Sequence, residues 1–562
     1  MTPTFSRVSL PLLLAATLFS SCARRPQASA PSASAAVSVP TTAPAAVTAP
    51  ETMPAPAAPK PAPAADQSAA QWHLKDPQLD QVPGVGVNRA YDEVLKNLSP
   101  APVIVAVIDS GIDTAHVDLK ANLWRNGKEI AGNGIDDDKN GYVDDVHGWN
   151  FLGGKDGRNV NAETLEVTRI VADGRKRFKG KTAATVKPTE KAEFALYQKA
   201  EKIYTVRLKE ETERAEQVES MTGPLTGMVE GLKQSLGVTT LDTTALRNAR
   251  SDDPNMKRAT AGLLDMMRQT GSPDADALLK ELNNAVKQER SMLDNSLNLN
   301  FNPRADIIKD NPLNVNDRNY GNNDVHGPDP MHGTHVAGII AAVRDNRLGV
   351  QGIAGSPVRI MAVRAVPDGD ERDKDVANAI RYAVDNGAQI INMSFGKEFS
   401  PQRPAVEAAY KYAASKNVLL VHAAGNENKN LDVTENYPAS FYINKTPVPN
   451  LLTVGASGPR DNAQLPAEFS NYSKKAVDVF APGVGIMSTL PGSTYGKESG
   501  TSMASPVTAG VAAVLKSYFP KLSAADLKRI IMQSAQVHHT KVTVPGTNKL
   551  ADFSTLSVTG GV

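Results

Sequence analysis

The chain has 562 residues, 41% of them apolar, enough for a large core in about three or four domains and too much for a small stapled scaffold. Lysine and arginine number 61 against 60 aspartate and glutamate, so no global field draws the chain to nucleic acid or to an anionic membrane. The single cysteine, Cys22, excludes an intrachain disulfide and leaves any metal site to oxygen or nitrogen ligands.

At the start of the chain, Arg7 precedes the apolar stretch "VSLPLLLAATLF", which runs into "SSC". A charged beginning, a short apolar middle and small residues before a cysteine are too short to remain as a spanning helix. The pattern resembles a bacterial lipoprotein signal over residues 1–21. It implies lipid on Cys22 and an envelope location, anchored at the outer membrane. Residues 22–70 are rich in Ala and Pro, and between 26 and 66 only Glu51, Lys60 and Asp66 carry charge. Such a segment buries too little surface to fold and reads as a tether, with a reach of up to about 150 Å at about 3.1 Å per residue.

Folded sequence is expected from about residue 71. Apolar runs at 103–108, 359–366, 389–395, 418–424, 451–456 and 476–482 alternate with helical patterns at 376–387 and 404–417. Strands that are apolar throughout and separated by helices predict an α/β fold with a mostly parallel sheet covered on both faces. Residues 155–300 differ in kind. They are charged, rich in helix formers and poor in glycine in stretches such as 188–221, and predict a helical insertion between two parts of the α/β domain, 71–154 and 301–562.

Three islands carry candidate chemistry: "AVIDSGID" around Asp109, "MHGTHVAGIIAAV" from 331 to 343, and "SGTSMASPVTAGVAAVLK" from 499 to 516. A fourth, "HAAGNEN", puts Asn426 just beyond a strand. Alone, Asp109 reads as a strand cap, Ser502 as a helix cap and Asn426 as a turn residue. Together and in this order the islands resemble the subtilisin-like serine peptidases. The resemblance spans most of residues 100–155 and 320–535.

That resemblance implies a subtilisin-like three-layer fold and a catalytic triad of Asp109, His332 and Ser502, with Asn426 as oxyanion donor. The chemistry agrees: a hydroxyl needs a base, the base needs an orienting carboxylate, and a helix start supplies free amides. His335, one turn past His332, reads as structural. Val507 stands where the family commonly has histidine, behind the serine. Ser394, Phe395 and Gly396, with Ala423, Ala424 and Gly425 opposite, are implied to pair with an extended protein or peptide substrate and to wall its pocket. The expected preference before the scissile bond is broad or apolar, since no acidic cluster marks a dibasic-specific enzyme. No cofactor is expected for catalysis.

"DDDKNGYVDD" places Asp136, Asp138, Asn140, Tyr142 and Asp144 at the alternating spacing of a calcium loop, with Gly141 at the sixth position. A structural calcium is expected there, against a plain solvated turn. Asp109 and His332 are 332 − 109 = 223 residues apart, because the helical insertion falls between them. A lid, a substrate-selecting cap, a docking surface, a folding aid and a passive subdomain all fit that position. Two other functions stay open: a catalytically silent envelope scaffold on this fold, and a narrow processing protease gated by the insertion.

Overall fold

The computed structural model describes residues 70–562; the signal sequence, Cys22 and the tether up to residue 69 lie outside the described residues. These divide into two compact units, residues 70–231 with 279–562, and residues 232–278. Among the described residues no helix is long and apolar enough to cross a membrane.

The larger unit is built on a seven-stranded parallel sheet. Its strands are β1 (Val103–Asp109), β2 (Gly148–Asn150), β3 (Val358–Arg364), β4 (Ile390–Met393), β5 (Leu419–Ala423), β6 (Leu451–Ser457) and β7 (Val479–Pro482), in the order β2-β3-β1-β4-β5-β6-β7. The apolar runs become these strands because both faces are covered. Val105 and Val107 of β1 enter one core with Val336, Ile340, Met503 and Val507. Ala106 and Ile108 point the other way, among Met361, Ile380 and Tyr410. The expected fold class is therefore present: helices Met331–Ala341 and Thr501–Tyr518 cover one face, Asp373–Asp385 and Arg403–Ser415 the other.

From β1 the chain passes to β2 at the sheet's edge, places β3 between them, then crosses to lay β4 to β7 on the other side of β1. Strand order reverses at β1, and in a parallel sheet such a reversal opens a crevice beyond the strands' carboxyl ends. Asp109 ends β1 and pairs in register with Arg364, the last residue of β3. The antiparallel hairpin of β8 (Ile486–Leu490) and β9 (Thr494–Glu498), which the sequence reading did not anticipate, follows the sheet and leads directly to Ser502.

Residues 155–300 are helical as expected, with α1 (Glu166–Arg177), α2 (Lys191–Leu236), α3 (Thr243–Asn248), α4 (Pro254–Thr270) and α5 (Ala275–Ser291). The smaller unit contains α3 and α4. Asp242 caps α3 by accepting from the Ala245 amide at 2.7 Å, and Leu241, Leu246, Leu263 and Met267 are buried. In the larger unit, Leu165, Val171, Ala200, Tyr204 and Leu297 form a separate apolar cluster.

Where the chain leaves the insertion, Arg304 is almost wholly buried between two carboxylates. It meets Asp375 at 2.7 and 2.8 Å and Asp310 at 2.7 and 2.8 Å, and Lys374 meets Asp310 at 2.6 Å. Removing one member strands buried charge on the others. Arg304→Met is expected to cost about 3–5 kcal/mol of stability, read from urea or guanidinium unfolding, whereas Arg158→Met, removing a pair to Asp306 that lies exposed at the surface, should leave the unfolding midpoint nearly unchanged.

Candidate active site

The crevice at the switch point brings together residues from distant parts of the chain. Asp109, His332, Ser394, Phe395, Asn426 and Ser502 line one cavity of about 270 Å³.

Asp109 is buried and fixed by its neighbour, the Ser110 amide donating to Oδ1 at 2.8 Å. His332 lies in the first turn of Met331–Ala341, and its Nδ1 donates to the same carboxylate oxygen at 2.7 Å. That contact needs the helix to approach the end of β1 closely. A Cβ on Gly333 would stand 2.2 Å from the Gly111 carbonyl, so only glycine fits. His335, one turn on, faces the Gly496 carbonyl at 3.2 Å. Burial depresses it to about 4, so it stays neutral and structural.

Ser502 occupies the first turn of Thr501–Tyr518 and is buried. Four residues on, Pro506 has no amide hydrogen to return to the Ser502 carbonyl. The Ser394 hydroxyl donates to that carbonyl instead, at 3.0 Å. This contact ties the turn of Ser502 to the end of β4, and Ser505 reinforces it by donating to Asn392 Oδ1 at 2.8 Å. In this structure the Ser502 hydroxyl donates to the Ser394 carbonyl at 3.2 Å. Reaching His332 requires rotation of the serine side chain, the kind of adjustment common before substrate binds.

Asn426 has its Oδ1 fixed by two donors from Thr501, the amide at 2.8 Å and the hydroxyl at 2.9 Å. Those donors orient the carboxamide so that its NH₂ end is the one able to donate into the cleft. The Ser502 amide, in a first helical turn, has no partner within its own helix. Asn426 and Ser502 line the same cavity, and these two N–H groups are its candidate donors to a developing oxyanion.

The expected pocket residues divide. Ser394 and Phe395 line the cavity that holds Ser502, while the Phe395 ring is buried in the core and its carbonyl accepts from His422 Nε2 at 2.8 Å. Ala423 and Ala424 are fully buried, and Gly425 has a φ of 102°. Gly396 faces a second groove of about 430 Å³ that also reaches Asn426 and Glu427. Glu427 is engaged there, its carboxylate accepting from Asn471 at 2.7 Å.

The acidic loop is held by hydrogen bonds among its own residues. Asp144 accepts from the backbone amides of Gly132, Asn133 and Gly134 at 2.7, 3.3 and 2.9 Å, which holds its carboxylate against the loop. Asn140 Oδ1 accepts from the Tyr142 amide at 2.8 Å. Asp136 and Asp138 do converge, and Glu129 joins them, each offering an oxygen within 4.8 Å of the others. Glu129 was invisible in the motif because it lies seven residues before it; its own oxygens accept from the Asp138 and Asp144 amides, both at 3.1 Å.

Two further residues escaped the sequence reading. Glu498 and Asp329 line the cavity beside His332, and the only available signal was Glu498's place four residues before Ser502. Burial works against charge on His332, but Asp109 chiefly, with Glu498 and Asp329, outweighs it and raises the imidazole above its ordinary 6.5.

With this geometry in view, comparison with known proteins is decisive. The model of the subtilase family matches residues 101–556. The chain belongs to the subtilase family. It is 45% identical over 194 residues to the thermophilic serine proteinase of Bacillus sp. (strain AK1), covering 34% of this chain and 44% of that one. It is 38% identical over 206 residues to subtilisin BL of Lederbergia lenta, 36% of this chain and 70% of the relative. Thermitase of Thermoactinomyces vulgaris is 40% identical over 205 residues, 36% and 67% respectively. The subtilase match by family model thus runs across the insertion, whereas the pairwise matches cover about a third of the chain.

A base must be neutral to accept a proton, so a raised His332 pKa moves the loss of activity to higher pH. The acid limb of kcat/KM is expected to have its midpoint above 6.5. Asp109→Asn should move that limb downward and lower kcat by about 10⁴-fold, in line with what loss of the orienting carboxylate costs such triads. Both are read from initial rates across pH 4 to 9.

Proposed function

We propose that this subtilase is a serine endopeptidase that cleaves peptide bonds through an acyl-enzyme on Ser502. The observation that supports this most strongly is the 2.7 Å contact of His332 with Asp109, in a cavity that also holds Ser502 and Asn426. The substrate's scissile carbonyl sits over Ser502, whose proton passes to His332 Nε2 as the oxygen attacks. Asp109 holds the imidazole with its other nitrogen protonated and stabilises the cation that results. The carbonyl oxygen, now negative, is held by the Asn426 amide and the Ser502 N–H. His332 returns the proton to the leaving amine, then repeats both transfers with water to release the acid.

The residues before the scissile bond lie along Ser394–Gly396, with apolar or broad preference at the residue whose carbonyl is attacked. Envelope anchoring through lipid on Cys22 completes the reading and is tested by palmitate labelling of the wild type against Cys22→Ala. The acid loop fits a calcium ion through Glu129, Asp136 and Asp138, where it would neutralise three converging carboxylates and lock the loop.

A fluorophosphonate probe should label the folded wild type and leave Ser502→Ala unlabelled, and the same variant should lose peptide hydrolysis; a folded wild type that is never labelled would point to a silent scaffold. Chelation should lower Tm by the equivalent of about 2–3 kcal/mol relative to calcium at about 100 times its Kd. Asp138→Asn should erase most of that calcium-dependent difference, and a Tm indifferent to calcium would remove the ion from the reading.

A further inference from the structure

Among the described residues that line the cavity holding Ser502, the carboxylates of Asp109, Asp329, Asp368 and Glu498 share the wall with one guanidinium, that of Arg364. The histidines there are His332 and His335, and burial keeps His335 neutral. Arg364 ends β3 beside Asp109, which ends β1. Residues in register on neighbouring strands leave the sheet on the same face, about 4.8 Å apart at the backbone. The two side chains therefore enter the cleft together.

Arg364 is 1% exposed, and its fork holds three separate segments. Nε donates to the Ser110 carbonyl at 2.7 Å, Nη1 to Asn150 Oδ1 at 3.1 Å and Nη2 to the Val160 carbonyl at 2.7 Å. These are the residue after Asp109, the end of β2 and the start of the insertion. A Cβ on Gly327, in the loop that leads to His332, would stand 2.2 Å from Nε, so that loop closes directly on the guanidinium.

All three acceptors are neutral. A buried cation ordinarily takes a carboxylate partner, and this one instead holds two carbonyls and a carboxamide. Burial pushes Arg364 down to about 10, partly offset by Asp324 and Asp329, so it stays charged at neutral pH. Its field reaches the groups beside it without being cancelled at close range.

Two effects bear on the contact between His332 and Asp109. The Ser110 amide donates to the Asp109 carboxylate at 2.8 Å, and Arg364 holds the carbonyl of that same residue. The charge favours ionised Asp109 and opposes a proton on His332, which Asp109, Glu498 and Asp329 draw toward its charged form. A base surrounded only by carboxylates is already protonated at working pH and accepts nothing.

We propose, resting on the endopeptidase reading above, that Arg364 is a positioning residue for this site: its guanidinium fixes the Ser110 backbone against Asp109, and its charge keeps Asp109 ionised and His332 ready to accept a proton.

The test compares the full chain carrying Arg364→Gln, which removes the charge, with Arg364→Lys, which keeps it without the fork, on a tetrapeptide p-nitroanilide ending in Phe. In Arg364→Gln the acid limb of kcat/KM should move upward by about one pH unit, and kcat should fall by about tenfold with KM little changed. In Arg364→Lys the limb should stay at the wild-type position, with a smaller loss of kcat. Arg304→Met removes a buried guanidinium outside this cavity and should lower Tm without moving the limb, which separates charge from packing. A folded Arg364→Gln whose limb stays at the wild-type pH, or an Arg364→Lys whose limb moves, would overturn the inference; the second result decides alone if Arg364→Gln does not fold. A folded wild type that neither hydrolyses the anilide nor takes a fluorophosphonate would instead overturn the endopeptidase reading, and this one with it.

Discussion

The site depends on how closely one helix approaches one strand. Gly333 lets the start of the helix Met331–Ala341 come against Gly111, just past the end of β1, and only at that distance does His332 meet Asp109 at 2.7 Å. The sheet fixes the other partners relative to that contact. Because strand order reverses at β1, the ends of β3 and β4 flank Asp109, and the residues that follow β4 reach under the nucleophile's turn. Proline at 506 would otherwise leave the Ser502 carbonyl without its helical partner; the Ser394 hydroxyl takes that role and joins the two halves of the cleft.

A second constraint governs how residues 155–300 can be placed between Asp109 and His332 without disturbing their contact. The insertion departs and returns through buried charge, at Lys397 with Glu166 and at Arg304 with Asp310 and Asp375. Such pairs add little net stability over apolar packing, but they are expensive to break singly and so fix geometry. Their effect is that a segment foreign to the sheet can border the cleft while the spacing of Asp109 to His332 is preserved.

Much of the fold was legible because the sheet is buried on both faces. "VIVAVI" needs no alternation to read as a strand, and the helices expected at 376–387 and 404–417 run Asp373–Asp385 and Arg403–Ser415. The candidate site was legible because its residues sit in short local motifs. What could not be read depends on contacts between distant segments. Glu129 reaches the acidic loop from outside its repeat, and the three backbone amides that donate to Asp144 meet it only in the folded loop. Met292 of the insertion lines the cavity that holds Ser502 while packing against the insertion's own core, and nothing in its local pattern distinguishes it from the helix formers around it.

The account stands on Asp109, His332, Ser502 and Asn426 acting on one carbonyl carbon. A crystal structure of the protein inhibited by a peptide boronic acid would test this most directly. The account predicts boron bonded to Ser502 Oγ, one boronate oxygen about 2.7–3.1 Å from both Asn426 Nδ2 and the Ser502 amide, and His332 still on Asp109. Boron bonded elsewhere, or an oxygen turned away from Asn426 with His332 detached from Asp109, would contradict it.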